Sequence, residues 1–333
     1  MSDVELVQVV RGGVVDCVHR GRAVVVDVRG KVIAAAGDTD AVVYLRSCAK
    51  PFQALATLRT GAAEKFGFMT EELAVIAGSH NGTPTHTQIV HQILDKIDAQ
   101  PAELQCGASA PLSRSAYEQL LLSGQPPTVL QHNCSGKHSG MLAACRTMGW
   151  DSATYLNADH PVQQLILQIV AEYADLQPSD VVLALDGCGV PTFGLPMSRI
   201  ALLFARLGAA ALDPSSDLGV IARAMQMYPL LFSGEGRVDA SLVRATGSRL
   251  VAKDGAEGLL GVGVPDHGAG IALKASDGNQ RAHIPAVSAL MQGLGYLSVD
   301  EAAALDALIP SAILNNQGKR AGEMRAVIEF SRP

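Results

Sequence analysis

The chain has no excess of basic residues and no run of them. Its 333 residues carry 26 Lys and Arg against 32 Asp and Glu, a net charge of −6. Nucleic acids and anionic membrane surfaces are bound by a basic face, so neither is an expected partner. No apolar stretch approaches the roughly 20 residues that span a bilayer; the longest aliphatic blocks are broken by Arg, Asp and Gly. The segment Met1-Ser2-Asp3-Val4-Glu5-Leu6 places acids where a signal peptide is basic and then apolar. A cytoplasmic location follows as an expectation. There is no internal repeat, low-complexity tract or Pro/Ser-rich linker. Disorder is excluded too, since 48% of the residues are hydrophobic and 17% charged. The six cysteines, in a reducing compartment, do not form a disulfide framework.

What is present is segregated along the chain. Residues 4–36 are rich in paired valines, with Gly12-Gly13, Gly21 and Gly30 between them, and read as a β-meander. From Ser47 to about Leu207 helical segments dominate, with starts after Pro51, near Thr70, Thr85 and Lys137, and after Pro161. One apolar run, Val181 to Leu185, is short, begins β-branched and ends in Asp186-Gly187-Cys188-Gly189, which fits a buried strand. Strands return at 247–253, 259–264 and 269–275, followed by helices at 284–295 and 299–308 and a strand near 324–330. Runs of this kind favour α+β over a βαβ alternation. The expected assembly is one composite domain over 1–333. An antiparallel sheet from 1–46 and 235–333 would pack with a mainly helical region, 47–234.

Three short motifs carry chemistry. Ser47-Cys48-Ala49-Lys50 sets a hydroxyl and an amine three residues apart, where a helix brings both to one face. A neutral lysine beside a serine is the arrangement that makes the hydroxyl a nucleophile. Ser79-His80-Asn81 is a Ser-x-Asn, and Lys253-Asp254-Gly255 a Lys-x-Gly on an expected strand. Serine β-lactamases and penicillin-binding proteins carry Ser-x-x-Lys, Ser-Asp-Asn and Lys-Thr-Gly in that chain order. Here His80 and Asp254 replace the central Asp and Thr, so β-lactam chemistry is not expected. A fourth segment, His132-Asn133-Cys134-Ser135-Gly136-Lys137-His138, gathers a thiol, an amine and two imidazoles, and Cys188 follows Asp186 at the strand end. Two thiols with nearby nitrogen donors suit zinc, and spacing alone selects His138, four residues after Cys134, as the nitrogen donor. A pair of structural cysteines is the alternative.

The segments Leu45 to Gln53, Gly78 to Gly82, His132 to Met141 and Asp186 to Pro191 resemble the class 3, or rhizobial-type, L-asparaginases. The resemblance runs from about residue 5 to 330. It implies a fold like that of the serine β-lactamases and glutaminases, and a homodimer. It also implies two serine–lysine tandems, Ser47–Lys50 and Ser79–Lys253, with Lys274 as the rival of Lys253. The implied zinc site is Cys134, Lys137 and Cys188, with water completing it.

On these residues the expected reaction is hydrolysis of the side-chain amide of L-asparagine. Ser47 attacks, Lys50 takes its proton, ammonia leaves, and water cleaves the acyl-enzyme. Ser47 is favoured because its lysine lies one helical turn away, and Ser79 with Lys253 relays the proton. Asp186 is expected on the substrate's α-ammonium, with Arg46 or His138 orienting the α-carboxylate or the site. The zinc is expected to position substrate more than to drive turnover. The rival readings are a glutaminase or other small-amide hydrolase, and a non-catalytic zinc- or thiol-binding protein.

Overall fold

A computed structural model describes residues 3–332. The strands are β1 (Val4–Arg11), β2 (Val14–Asp27), β3 (Val32–Ala36), β4 (Val42–Tyr44), β5 (Val182–Leu185), β6 (Pro191–Pro196), β7 (Val251–Gly255), β8 (Leu259–Val264), β9 (Ala269–Ala275), β10 (Ala312–Leu314) and β11 (Arg320–Ala326). The helices begin with α1 (Lys50–Arg59), α2 (Ala62–Lys65), α3 (Thr70–Ile76), α4 (Pro84–Lys96), α5 (Arg114–Ser123), α6 (Ser135–Met148) and α7 (Pro161–Ala174). They continue with α8 (Met197–Ala210), α9 (Asp217–Met227), α10 (Pro229–Phe232), α11 (Val238–Ala245), α12 (His283–Leu294) and α13 (Val299–Leu308). The chain divides into two compact units. One holds Met1–Cys48, Leu195–Ala209 and Ser241–Pro333; the other holds Ala49–Gly194 and Ala210–Ala240.

The first unit is built on an eight-stranded sheet in the order β10-β11-β1-β2-β9-β8-β7, with β3 paired to β2. Every described pairing in it is antiparallel. Strand β2 is long enough to serve both β1 and β3, the latter through Ala23–Val26, while Gly21–Asp27 pairs with β9. Register shifts between Glu5 and Val7 and between Val9 and Val10 add twist, so the sheet curls. Strands β7 and β8 are buried at every position; β8 is accordingly continuously apolar or small rather than alternating, while β7 also buries Lys253 and Asp254. Helix α8 lies hard against the sheet because glycines leave room for it. A Cβ at Gly261 would sit 2.0 Å from the Phe204 ring, and one at Gly270 would sit 2.1 Å from the Ala201 carbonyl oxygen.

The second unit is mainly helical and centres on α6, buried at every residue from Ser135 to Cys145. Helices α1, α3, α4 and α7 pack around it. Close approach depends on two glycines one turn apart: a Cβ at Gly136 would lie 2.4 Å from the Val75 carbonyl oxygen, and one at Gly140 would lie 2.6 Å from the Ile76 side chain. The hairpin β5–β6 pairs Val182 with Gly194 through Leu185 with Pro191. The expected strand at 181–185 is there, but it is not buried: Val182 is 47% and Leu185 78% exposed. A short apolar run does not by itself say how many of its faces are covered.

The α+β architecture expected from the sequence is what the structure has, a curled antiparallel sheet flanked by helices. The finer expectation, kinship with serine β-lactamases and penicillin-binding proteins, is withdrawn: the strand order describes a general α+β arrangement and singles out neither family. Among the described residues no helix is long and apolar enough to cross a membrane.

Candidate active site

The second unit buries an unusual set of polar side chains. Lys50 opens α1 and is 1% exposed; its Nζ donates to Ser79 Oγ at 2.8 Å and to the Asn133 carbonyl at 2.9 Å. Ser79, also 1% exposed, follows the end of α3. Its backbone N–H donates to the Phe232 carbonyl at 2.8 Å, and the Asn81 N–H donates to Ser233 at 2.9 Å. That pairing requires glycine at 78, where a Cβ would lie 2.0 Å from the Phe232 carbonyl oxygen. The serine is thereby held on a fixed backbone against a lysine 29 residues away in sequence.

His80 locks the same loop to α6. Its Nδ1 accepts from the Gly82 N–H at 3.1 Å, so the proton resides on Nε2, which donates to Ser135 Oγ at 2.9 Å. Ser135 passes its own proton to the Leu130 carbonyl at 3.0 Å. Burial, reinforced by His86 and the Lys50 charge, holds His80 well below the usual imidazole range, so it is neutral. Its stacked neighbour His86 is likewise held down by burial.

The cysteine segment is adjacent in the fold. Lys137 Nζ donates to Cys188 Sγ at 3.1 Å. Cys134 is drawn well below the usual thiol range, first by a hydrogen bond from Cys188 and, against burial, by the charges of Lys50 and Lys137. Cys188 is held up by its bond to Cys134 and by burial. Cys134 Sγ also lies 3.3 Å from Asn133 Oδ1. His138 is fully buried; its Nδ1 meets Tyr155 Oη at 2.7 Å, and burial pushes its pKa down to about 4. Asp186 is half-buried on the turn that carries Cys188. The turn closes through a Gly189 N–H to the Asp186 carbonyl, and the Asp186 carboxylate accepts from the Gly187 N–H at 2.9 Å. A cavity of about 640 Å³, lined by Leu156, Leu183, Leu185, Gly189 and Pro191 among others, opens beside that turn.

The zinc expectation is corrected here. Cys134, Lys137 and Cys188 do come together, but not as a ligand set. Among the described residues no group of three or more His, Cys, Asp or Glu side chains is placed to hold a metal ion. Burial works to lower the Lys137 pKa, but the sulfurs of Cys188 and Cys134 outweigh it and raise the pKa above its ordinary value. In this structure the amine donates to Cys188 Sγ, as a protonated group does. His138, which spacing alone selects as a nitrogen donor, meets Tyr155 Oη through Nδ1.

Arg46, Ser47 and Lys253 belong to the first unit. Ser47 lies on the 3-10 turn Arg46–Ala49, and α1 starts only at Lys50. Arg46 has φ of +46°, a left-handed conformation rare outside glycine. The turn packs on β7: Cys48 Sγ donates to the Lys253 carbonyl at 3.1 Å, and a Cβ at Gly255 would be 2.9 Å from the Leu45 carbonyl oxygen. Lys253 is fully buried and its ammonium donates to the Asp254 carboxylate and carbonyl. The rival Lys274 directs its ammonium to the Glu257 and Ala275 carbonyls. Arg46 lies 3.8 Å from Glu257.

Sequence reasoning did not single out His80, Ser135, the Asn133 carbonyl or Tyr155. His80 stood inside a motif already noted, whereas nothing local to Tyr155 marks it.

Comparison with known proteins assigns the family. The model of the L-asparaginase II family matches residues 7–326. No curated protein matches the chain. Among solved structures, one with similarity is described as Mglu in its glutamate form, at 13% identity and a TM-score of 0.44. The match covers 83% of this chain and 60% of that one, so the chain spans about 60% of that protein's length. So distant a likeness carries no argument for fold or site. The resemblance to a class 3, zinc-binding enzyme is corrected by the matching family and by the missing ligand set. From the near full-length match, the chain belongs to the L-asparaginase II family.

Proposed function

We propose that the protein hydrolyses the side-chain amide of L-asparagine to L-aspartate and ammonia, with Ser79 as nucleophile and Lys50 as its base. The observation that supports this reading is the 2.8 Å contact between Lys50 Nζ and Ser79 Oγ, both buried. In the reactive state the amine is neutral and accepts the hydroxyl proton. The Ser79 oxygen adds to the amide carbon, Lys50 delivers the proton to the departing nitrogen, and ammonia leaves an acyl-enzyme. Water then attacks the ester carbonyl, Lys50 takes its proton, and Ser79 recovers it. Asp186 holds the substrate's α-ammonium and His138 its α-carboxylate.

A second reading keeps Ser47 as nucleophile, with Ser79 and Lys253 relaying the proton and Arg46 on the carboxylate. The left-handed Arg46 beside Ser47 favours it, because backbone strain is often kept where a reactive group must be aimed. A glutaminase activity differs by one methylene in the substrate, worth about 1–3 kcal/mol of discrimination. The expected homodimer belongs to the same proposal and is read by sedimentation.

The test is ammonia release from L-asparagine and from L-glutamine by wild type, Ser79→Ala and Ser47→Ala. Ser79→Ala is expected to lose about 10³-fold or more in kcat, as removal of a nucleophile does. Full activity in Ser79→Ala, with loss in Ser47→Ala, transfers the attack to Ser47. No ammonia from either amide rejects the function.

A further inference from the structure

The buried ring of His138 is held in one tautomer by a chain of hydrogen bonds that starts at a backbone amide. The Gln105 N–H donates to Tyr155 Oη at 2.9 Å. An amide N–H can only donate, so Tyr155 Oη accepts there and is left to donate its own proton to His138 Nδ1 at 2.7 Å. Nδ1 is therefore the acceptor, and the ring proton of the neutral imidazole sits on Nε2. Tyr155 is fully buried and has no freedom to turn the chain around. Its own carbonyl accepts from Gln163 Nε2 at 2.8 Å, and Gln105 Nε2 donates to the Ala153 carbonyl at 3.0 Å, so both ends of the relay are clamped.

The far end of the ring is the unusual part. Among the described residues, His138 Nε2 has no hydrogen-bond partner of ordinary geometry although it is buried. The Cys188 sulfur interacts with the ring as a hydrogen-bond partner, raising its pKa against burial. A sulfur is a weak acceptor, and a buried N–H left under-satisfied is costly enough to call for an explanation. An oxygen of a bound anion would supply it.

We infer that Tyr155 is a positioning residue, which fixes His138 in the Nε2–H tautomer so that the ring offers a neutral donor to a carboxylate of the substrate. This rests on the proposed hydrolysis of an amino-acid amide. A neutral donor suits this place. A fixed N–H orients the anionic end of the substrate by direction and adds no charge beside Lys137.

The test has two readouts. Nitrogen NMR of the histidine rings in wild type should show His138 with a proton on Nε2 and a bare Nδ1. In Tyr155→Phe that preference should be lost, and KM for L-asparagine should rise about tenfold, as when one hydrogen bond goes, with kcat within about threefold. His138→Gln, which puts an N–H where Nε2 was, should retain substrate binding better than His138→Asn, which puts one where Nδ1 was. A proton on Nδ1 in wild type overturns the inference without any variant. So does a Tyr155→Phe protein that keeps both the tautomer and KM. Because the tautomer is read without turnover, its failure is told apart from a failure of the proposed reaction.

Discussion

Lysine and arginine part company at position 50. Lys50 is buried and bonded to Ser79 Oγ, and its proposed task is to give up a proton and take another. A guanidinium keeps its proton at any ordinary pH and offers no lone pair. Lys50→Arg therefore retains the positive charge while removing the base. Steady-state kinetics on L-asparagine should show kcat lower by about 10³-fold with a much smaller change in KM. Retention of most of the turnover would mean that charge near Ser79, rather than proton transfer, is what position 50 supplies. The residue scale is also where the sequence was least legible. The motifs mark Ser47, Lys50, Ser79 and Lys253, yet spacing suggests only the pair three residues apart. The hydrogen bond from Lys50 to Ser79 is set by tertiary packing across 29 positions. So is the relay from Gln105 through Tyr155 to His138, in which none of the three stands near another in sequence.

Helix α6 shows how much an element depends on what it omits. Gly136 and Gly140 present bare backbone to the Val75 carbonyl and to the Ile76 and Thr57 side chains. The same helix carries Ser135, Lys137 and His138, so its fit sets where those groups sit. Gly136→Val should destabilise by about 1–3 kcal/mol, the usual cost of overpacking a core, as measured by urea denaturation. Because the Val75 oxygen is backbone, the helix has to shift, and activity should fall further than stability accounts for. Strands β8 and β9 lie at the expected positions, 259–264 and 269–275, because continuous apolar runs bounded by glycine are strong signals. Strand β11 was expected near 324–330 and lies at Arg320–Ala326. Its charged residues Arg320, Glu323 and Arg325 hid it, and its bounds are set by pairing with β1 and β10 rather than by its own composition. Strand β7 begins at Val251 rather than at 247, since Gly247 and Ser248 both take left-handed φ values that no strand accommodates.

At the scale of the whole molecule, neutral buried histidines impose a pH limit. His80, His86 and His138 all lie below their ordinary value of 6.5 when folded, each chiefly through burial. Once unfolded, each titrates near 6.5. As the pH falls below that point the unfolded chain binds protons that the folded one refuses, so stability decreases with falling pH. Each histidine contributes at most about 1.4 kcal/mol per pH unit, and for His138 the loss continues down to about pH 4. Urea midpoints measured between pH 7 and pH 5 should drop steadily below 6.5. Midpoints that stay level over that interval would show these imidazoles to be protonated, or solvated, in the native protein.

The left-handed backbone at Arg46 has an evolutionary reading. An arginine held at φ +46° costs free energy that glycine at the same place would not, and asparagine would lessen it. Selection for solubility or heat resistance alone would therefore steadily replace it, while selection for turnover would have reason to keep a long cationic side chain beside Ser47. Position 46 is thus a place where the demands of lasting and of working pull a lineage toward different amino acids.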